Sequence, residues 1–148
     1  MTRHVTFIDT NVIVYHLVQA DHEHGLPSSQ LFARLRAGTD AAYLSSTVVL
    51  ECIHACQMRY KVPNQALADA LVEILGFAGL HTDHPEAITH ALMYWRTQGP
   101  LSFADCFHLA LAEQLGMSSI YSFDKKMSRY PGVSRVEPSS GTTTRPGV

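Results

Sequence analysis

Val5-Thr-Phe-Ile-Asp-Thr-Asn-Val-Ile-Val-Tyr15 is a short β-branched and aromatic run that breaks at an aspartate and resumes as a second apolar run. The first half, Val5 to Ile8, reads as a buried strand ending at Asp9. The second half reads as a helix to about Ala20, with Asn11 available to cap it. A strand that delivers an acidic residue and then a helix is the unit from which the rest of the chain is read.

The unit recurs downstream. Ala42 to Ser45 forms a second strand candidate, and Ser46 or Thr47 can cap a helix reaching Arg59. Before it, Asp21 to Gly25 reads as a polar loop and Ser28 to Ala37 as a helix stopped by Gly38. After it, Pro63-Asn64 opens a helix through Leu75, and Leu80 to Thr82 reads as a short strand. Pro85 sits where a helix begins, and that helix runs to Thr97 before Gly99-Pro100. Ser102 to Leu115 has apolar residues at helical spacing, Ser119 to Phe123 is a strand entering Asp124, and Val133 to Val136 is a last edge strand. Five apolar strands alternating with helices predict a single α/β domain, residues 1–137, with a parallel sheet covered by helices on both faces. The polar Pro/Gly/Ser/Thr stretch 138–148 is expected to be a disordered tail.

Composition sets outer limits. The chain has 148 residues, 46% of them apolar and 16% charged, which suits one globular core. A net charge of -2 argues against wrapping duplex DNA on a broad basic surface. It leaves open an enzyme that grips phosphates through a local basic rim and a metal. Cys52, Cys56 and Cys106 all lie in apolar helical stretches and read as buried reduced thiols. No apolar run reaches ~18 residues and the N-terminal stretch has no secretory core, so no membrane span and a cytoplasmic location are expected.

Four carboxylates sit where carboxylates are costly. Asp9 closes an apolar strand, Glu51 interrupts Val48 to Ile53, Asp105 interrupts Leu101 to Phe107, and Asp124 follows Ile120 to Phe123. In a parallel sheet, ligands bind beyond the carboxyl ends of the strands. Asp9 and Asp124 lie there, and Glu51 and Asp105 lie in early turns of helices; if those helices start at the same edge, all four face one crevice. Clustered carboxylates repel, and a divalent cation removes the conflict. Oxygen-only ligands suit Mg²⁺ or Mn²⁺.

Each carboxylate also has a purely structural reading. Asp9 could be a helix cap, Asp105 could stabilise its helix N-terminus, and Asp124 could be a loop aspartate beside Lys125 and Lys126. Glu51 has none of these roles, although Arg59 or Lys61 could neutralise it.

At these residues the chain resembles the PIN-domain nucleases, especially the toxin ribonucleases of VapBC toxin–antitoxin systems. The stretch from Phe7 to Tyr15 resembles the family's first motif, and Leu44-Ser-Ser-Thr-Val-Val-Leu-Glu51 the second. Leu101-Ser-Phe-Ala-Asp-Cys-Phe-His-Leu-Ala-Leu-Ala112 resembles the third, and Tyr121-Ser-Phe-Asp-Lys-Lys-Met127 the fourth. The resemblance implies a Mg²⁺- or Mn²⁺-dependent endoribonuclease acting on RNA, on a five-stranded parallel sheet. Asp9, Glu51, Asp105 and Asp124 would be the catalytic, metal-holding set. Thr10, Asn11 and Ser122 would orient those carboxylates. It further implies a homodimer and, for a VapC toxin, a small VapB-like antitoxin that blocks the site. Met127 stands where the family often has an aromatic residue, which bears on packing.

Lys125, Lys126 and Arg129 follow the fourth carboxylate and are candidates for contacting RNA phosphates; Arg34, Arg36, Arg59 and Lys61 have less support. Nine histidines invite a zinc site, but His22-Glu-His24 and His81-Thr-Asp-His84 lack zinc spacing. Tyr94-Trp95 reads as core or dimer contact. Two other functions compete: an RNA-binding or interaction module on the same fold without catalysis, and a haloacid-dehalogenase-like phosphohydrolase. The latter needs a second aspartate two residues after Asp9, where Asn11 stands.

Overall fold

The computed structural model describes residues 4–19, 22–97 and 99–139. Strands β1 (Val5–Phe7), β2 (Ala41–Tyr43) and β3 (Leu80–His81) form one sheet in that order. Strands β4 (Ser119–Tyr121) and β5 (Ser134–Val136) form a second. Every strand pair is parallel. The helices are α1 (Thr10–Val18), α2 (His22–Ala37), α3 (Ser46–Met58), α4 (Asn64–Leu75), α5 (Pro85–Trp95) and α6 (Phe103–Gln114). Lys125–Arg129 adds one short 3-10 helix. The α/β class, the parallel strands and the flanking helices are those expected from the sequence.

The division of the sheet decides what surrounds the acidic residues. β1 pairs with β2 on one side only, and β4 pairs with β5 on one side only, so each keeps a free edge. Val5–Phe7 was expected to be buried and is exposed throughout, with Phe7 at 61%. Tyr121 and Phe123, at the end of β4, are 76% and 71% exposed. Burial begins only at Ile8, whose amide donates to the Tyr43 carbonyl at 2.9 Å. An apolar strand is covered only if a neighbour lies beside it, and β-propensity alone supplies none. A cavity of about 500 Å³ opens along this uncovered strand, lined by Thr6, Phe7, Val12, Leu31 and Ala42 among others.

The core lies between the helices and β2. Trp95 is buried and meets Phe103 edge-on at 5.7 Å, and Phe103 stacks on Phe107 at 6.2 Å. Such aromatic pairs add roughly 0.5–1.5 kcal/mol beyond the area they bury. Trp95 is therefore core, and Tyr94, half-buried beside it, donates its hydroxyl to the Arg129 carbonyl at 2.8 Å. Cys52, Cys56 and Cys106 are buried free thiols, as expected. β3 packs so tightly on the loop before β2 that a side chain at Gly79 would collide with the Asp40 carbonyl.

Two local expectations give way. The loop expected over Asp21 to Gly25 is, from His22 on, the first turn of α2, which also runs through Pro27. Packing outweighs the breakers: Ser29 Oγ lies 2.9 Å from His16 Nδ1, and Phe32 stacks on His16 at 4.5 Å. The helix caps also fall earlier than expected, on Asp9 rather than Asn11 and on Ser45 rather than Ser46 or Thr47. In both cases the residue still in extended backbone at the strand exit is the one whose side chain can turn back onto the helix amides. The stretch from position 140 onward, where most of the tail falls, lies outside the described residues, as do Ala20 and Asp21. Among the described residues no helix is long and apolar enough to cross a membrane.

Candidate active site

The carboxyl ends of β1, β2 and β3 present Asp9, Ser45-Ser46 and Asp83 at one sheet edge. Asp9 leaves β1 in extended backbone and caps α1, its Oδ1 accepting from the Thr10 amide at 2.8 Å. Thr10 then turns its hydroxyl the other way and donates to Glu51 Oε1 at 3.2 Å. One residue thus touches both acids. Asp9, Thr10, Asn11 and Glu51 line the same cavity of about 300 Å³. Glu51 makes no salt bridge with Arg59 or Lys61 among the described residues, so its charge is not internally neutralised.

Glu51 is delivered there by the N-terminus of α3, which is held twice. Ser45 Oγ accepts from the Val48 amide at 3.1 Å. Asp83, from the loop after β3, accepts from the Ser46 amide at 3.0 Å and the Ser46 hydroxyl at 2.9 Å. Burial pushes the Asp83 carboxyl up, but the hydrogen bonds from Ser46, from its own amide and from Thr82 outweigh it, leaving it below the usual carboxylate range.

Asp105 and Asp124 do not line the cavity of Asp9 and Glu51, and each is engaged in a local cap. Asp105 completes a capping box on α6: Ser102 Oγ accepts from its amide at 3.1 Å, and its Oδ2 accepts from the Ser102 amide at 3.3 Å. Its neighbour Cys106 is a thiol pushed up to about 12, first by burial and then by the Asp105 charge. Asp124 caps the short 3-10 helix, accepting from the Lys126 amide at 3.0 Å, and pairs with Lys126 Nζ at 3.7 Å. Ser122 Oγ accepts from the Asp124 amide at 3.0 Å, so it orders the Asp124 backbone and not its carboxylate. Among the described residues, no three His, Cys, Asp or Glu side chains gather into a group able to hold a metal. Lys125 and Arg129 are exposed, and neither lines the cavity that holds Asp9 and Glu51.

Residues 6–133 match the PIN domain family, a span that includes all four acidic residues. The chain belongs to the PIN domain family. This PIN domain is similar to two mycobacterial proteins, VapC ribonuclease Mb1869c of Mycobacterium bovis and Ribonuclease VapC13 of Mycobacterium tuberculosis. With each it is 26% identical over 134 residues, covering 87% of this chain and 97% of the relative. Among solved structures it is similar to VapC20 of Mycobacterium tuberculosis, described as a sarcin-ricin loop cleaving toxin. That likeness is 20% identical with a TM-score of 0.39, covering 90% of this chain and 99% of the other; the family membership stands on the sequence match.

The PIN domain's cavity also contains Tyr15 and Tyr60, to which sequence reading assigned no site role, and Arg59, which it named as a less supported phosphate contact. A signal for Arg59 was present: Glu51, Ala55 and Arg59 recur every four residues and so share one helix face. Asp83 carried no such signal, because its partner Ser46 is 37 positions away.

Proposed function

We propose that this PIN domain is a metal-dependent endoribonuclease, hydrolysing RNA phosphodiester bonds as the toxin of a type II toxin–antitoxin pair. The observation that carries the reading is the meeting of Asp9 and Glu51 in one cavity, Asp9 held by the Thr10 amide and Glu51 by the Thr10 hydroxyl. Similarity to VapC ribonucleases over nearly their whole length supports the substrate class.

The donor set fits the ion. Mg²⁺ is commonly bound through one or two carboxylates, with waters and substrate phosphates completing its shell. Two hard carboxylates and a hydroxyl in one cavity are of that kind. Mg²⁺ or Mn²⁺ held by Asp9 and Glu51 would polarise a water and offset charge on the phosphate. The chain's part is positional. Thr10 holds the Glu51 carboxylate by its hydroxyl, while the Thr10 amide holds Asp9. Attack of water at phosphorus releases the 3′-oxygen, giving a 5′-phosphate and a 3′-hydroxyl.

Asp105 and Asp124 would complete the catalytic, metal-holding set, and pairing of β4 with the free edge of β1 would carry Asp124 towards Asp9. Both edges are parallel and unpaired, and each strand leads into an aspartate at its carboxyl end. In that arrangement Asn11 and Ser122 flank the acids, and Lys125, Lys126 and Arg129 arrive with Asp124 to meet RNA. A VapB-like antitoxin and a homodimer are the partners this reading expects.

A second reading, an RNA-binding module without catalysis, draws on the local caps that occupy Asp105 and Asp124. One experiment separates the two: a mixed RNA pool incubated with protein and Mg²⁺, with protein and EDTA, and with Glu51→Gln. Cleavage confined to the first arm is the expected result. Equal cleavage in all three arms contradicts the metal mechanism, and binding without cleavage in the first arm selects the module.

A further inference from the structure

The cavity that holds Asp9 and Glu51 continues past them to three residues that the proposed chemistry does not use: Tyr15, Arg59 and Tyr60. Tyr15 lies four positions after Asn11 on α1, and Arg59 lies eight after Glu51 on α3, so each shares a face with a residue at the acidic end. The rings of Tyr15 and Tyr60 are half-buried, and neither hydroxyl has a hydrogen-bond partner among the described residues. Among the described residues the Tyr15 ring has one ring neighbour, His24, at 5.2 Å and tilted by 37°.

Arg59 is the informative residue. It is exposed, lines an acidic cavity, and makes no ion pair among the described residues. A guanidinium is a planar fork of donors suited to a phosphate. Eight residues of helix place it about 12 Å along α3 from Glu51. That backbone separation suits a phosphate flanking the one being cleaved.

We infer that Tyr15, Arg59 and Tyr60 form a slot for one nucleotide of single-stranded RNA adjacent to the acidic pair. This rests on the ribonuclease reading above. The base lies against the tyrosine rings and the phosphate is taken by Arg59. The cavity, about 300 Å³, is at the small end of ligand pockets and admits a splayed nucleotide but not a paired helix. Stacking on phenol rings tolerates any base, so the slot selects strandedness more than sequence.

The test is fluorescence anisotropy of a labelled single-stranded oligoribonucleotide in Mg²⁺ against the full chain. Every protein carries Glu51→Gln to prevent turnover. Arg59→Ala should weaken binding about ten-fold and reduce the slope of log affinity against log salt by roughly 0.7. Tyr15→Ala and Tyr60→Ala should each weaken it about ten-fold with the slope unchanged. Tyr60 also packs against the core, so Tyr60→Leu, which keeps apolar volume without a ring, must behave as Tyr60→Ala, and Tyr60→Phe must bind as the parent. Unchanged affinity in Arg59→Ala, unchanged affinity in both tyrosine variants, a parent that does not bind, or equal binding of duplex RNA would each overturn the slot. Cleavage by the chain without Glu51→Gln is scored separately. A chain that binds in this pattern but never cleaves keeps the slot and loses the nuclease; one that cleaves while binding ignores all three residues keeps the nuclease and loses the slot.

Discussion

At the scale of single residues, the four acids differ in what their removal does to an idle protein. Asp105 closes a capping box, so Asp105→Ala should cost about 1 kcal/mol in urea unfolding without metal or RNA. Glu51 accepts one exposed hydrogen bond from Thr10, and Glu51→Gln should shift stability by no more than about 0.5 kcal/mol while abolishing cleavage. A stable, inactive Glu51→Gln beside a weakened Asp105→Ala is the pattern to look for; equal destabilisation would place Glu51 in the scaffold. A different residue sets the pH response. Burial against Phe32 lowers the His16 pKa, outweighing the raising influence of Glu73. A base depressed in the fold stabilises it when neutral. Its contribution is whole above the unfolded value near 6.5 and fades as pH falls through the lower folded value. Thermal midpoints should therefore drop as pH falls below about 6.5, and drop less in His16→Phe.

At the scale of elements, the informative features are two free strand edges and one clamp. Since the Ile8 amide bonds to β2, alternation turns the Phe7 amide outward to the open edge. In hydrogen-exchange measurements the Phe7 amide should exchange quickly in metal-free protein. If β4 docks there to complete the acidic set, adding Mn²⁺ should slow it, and unchanged exchange on metal addition argues that the site works with Asp9 and Glu51 alone. Exposed apolar residues along such edges also invite pairing with other chains, which makes association at high protein concentration expected. The clamp is Asp83 on the first turn of α3. Asp83→Ala should lower stability by about 1 kcal/mol and reduce cleavage by loosening the helix that carries Glu51. The depressed carboxyl makes this contribution whole above about pH 4 and lost on further acidification.

At the scale of the whole molecule, metal and fold should be linked. An ion that binds the folded chain and not the unfolded one stabilises it by about 2.7 kcal/mol at a hundred times its dissociation constant. Mg²⁺ or Mn²⁺ should raise the thermal midpoint, EDTA should reverse the rise, and Asp9→Asn should remove it. A midpoint indifferent to all of these contradicts a metal held by these acids.

The alternation of strand and helix, the parallel class and the four acids with their motifs were legible in the sequence, because strand and helix periodicity and the punctuation around them are local properties. Glu51 stood out in the sequence for the reason it matters in the fold: a mid-helix carboxylate in an apolar run has no cap to make. Asp9, Asp105 and Asp124 looked ambiguous there, and the structure shows each of them capping a helix. The tertiary structure alone decided that the five strands divide three and two, that Thr10 joins Asp9 to Glu51, that Asp83 holds α3, and that Tyr15, Arg59 and Tyr60 share the acidic cavity. The Thr10–Glu51 hydrogen bond alone joins residues 41 positions apart. Pairing over such distances depends on which edges and faces meet once the chain has folded, and no local pattern carries that information.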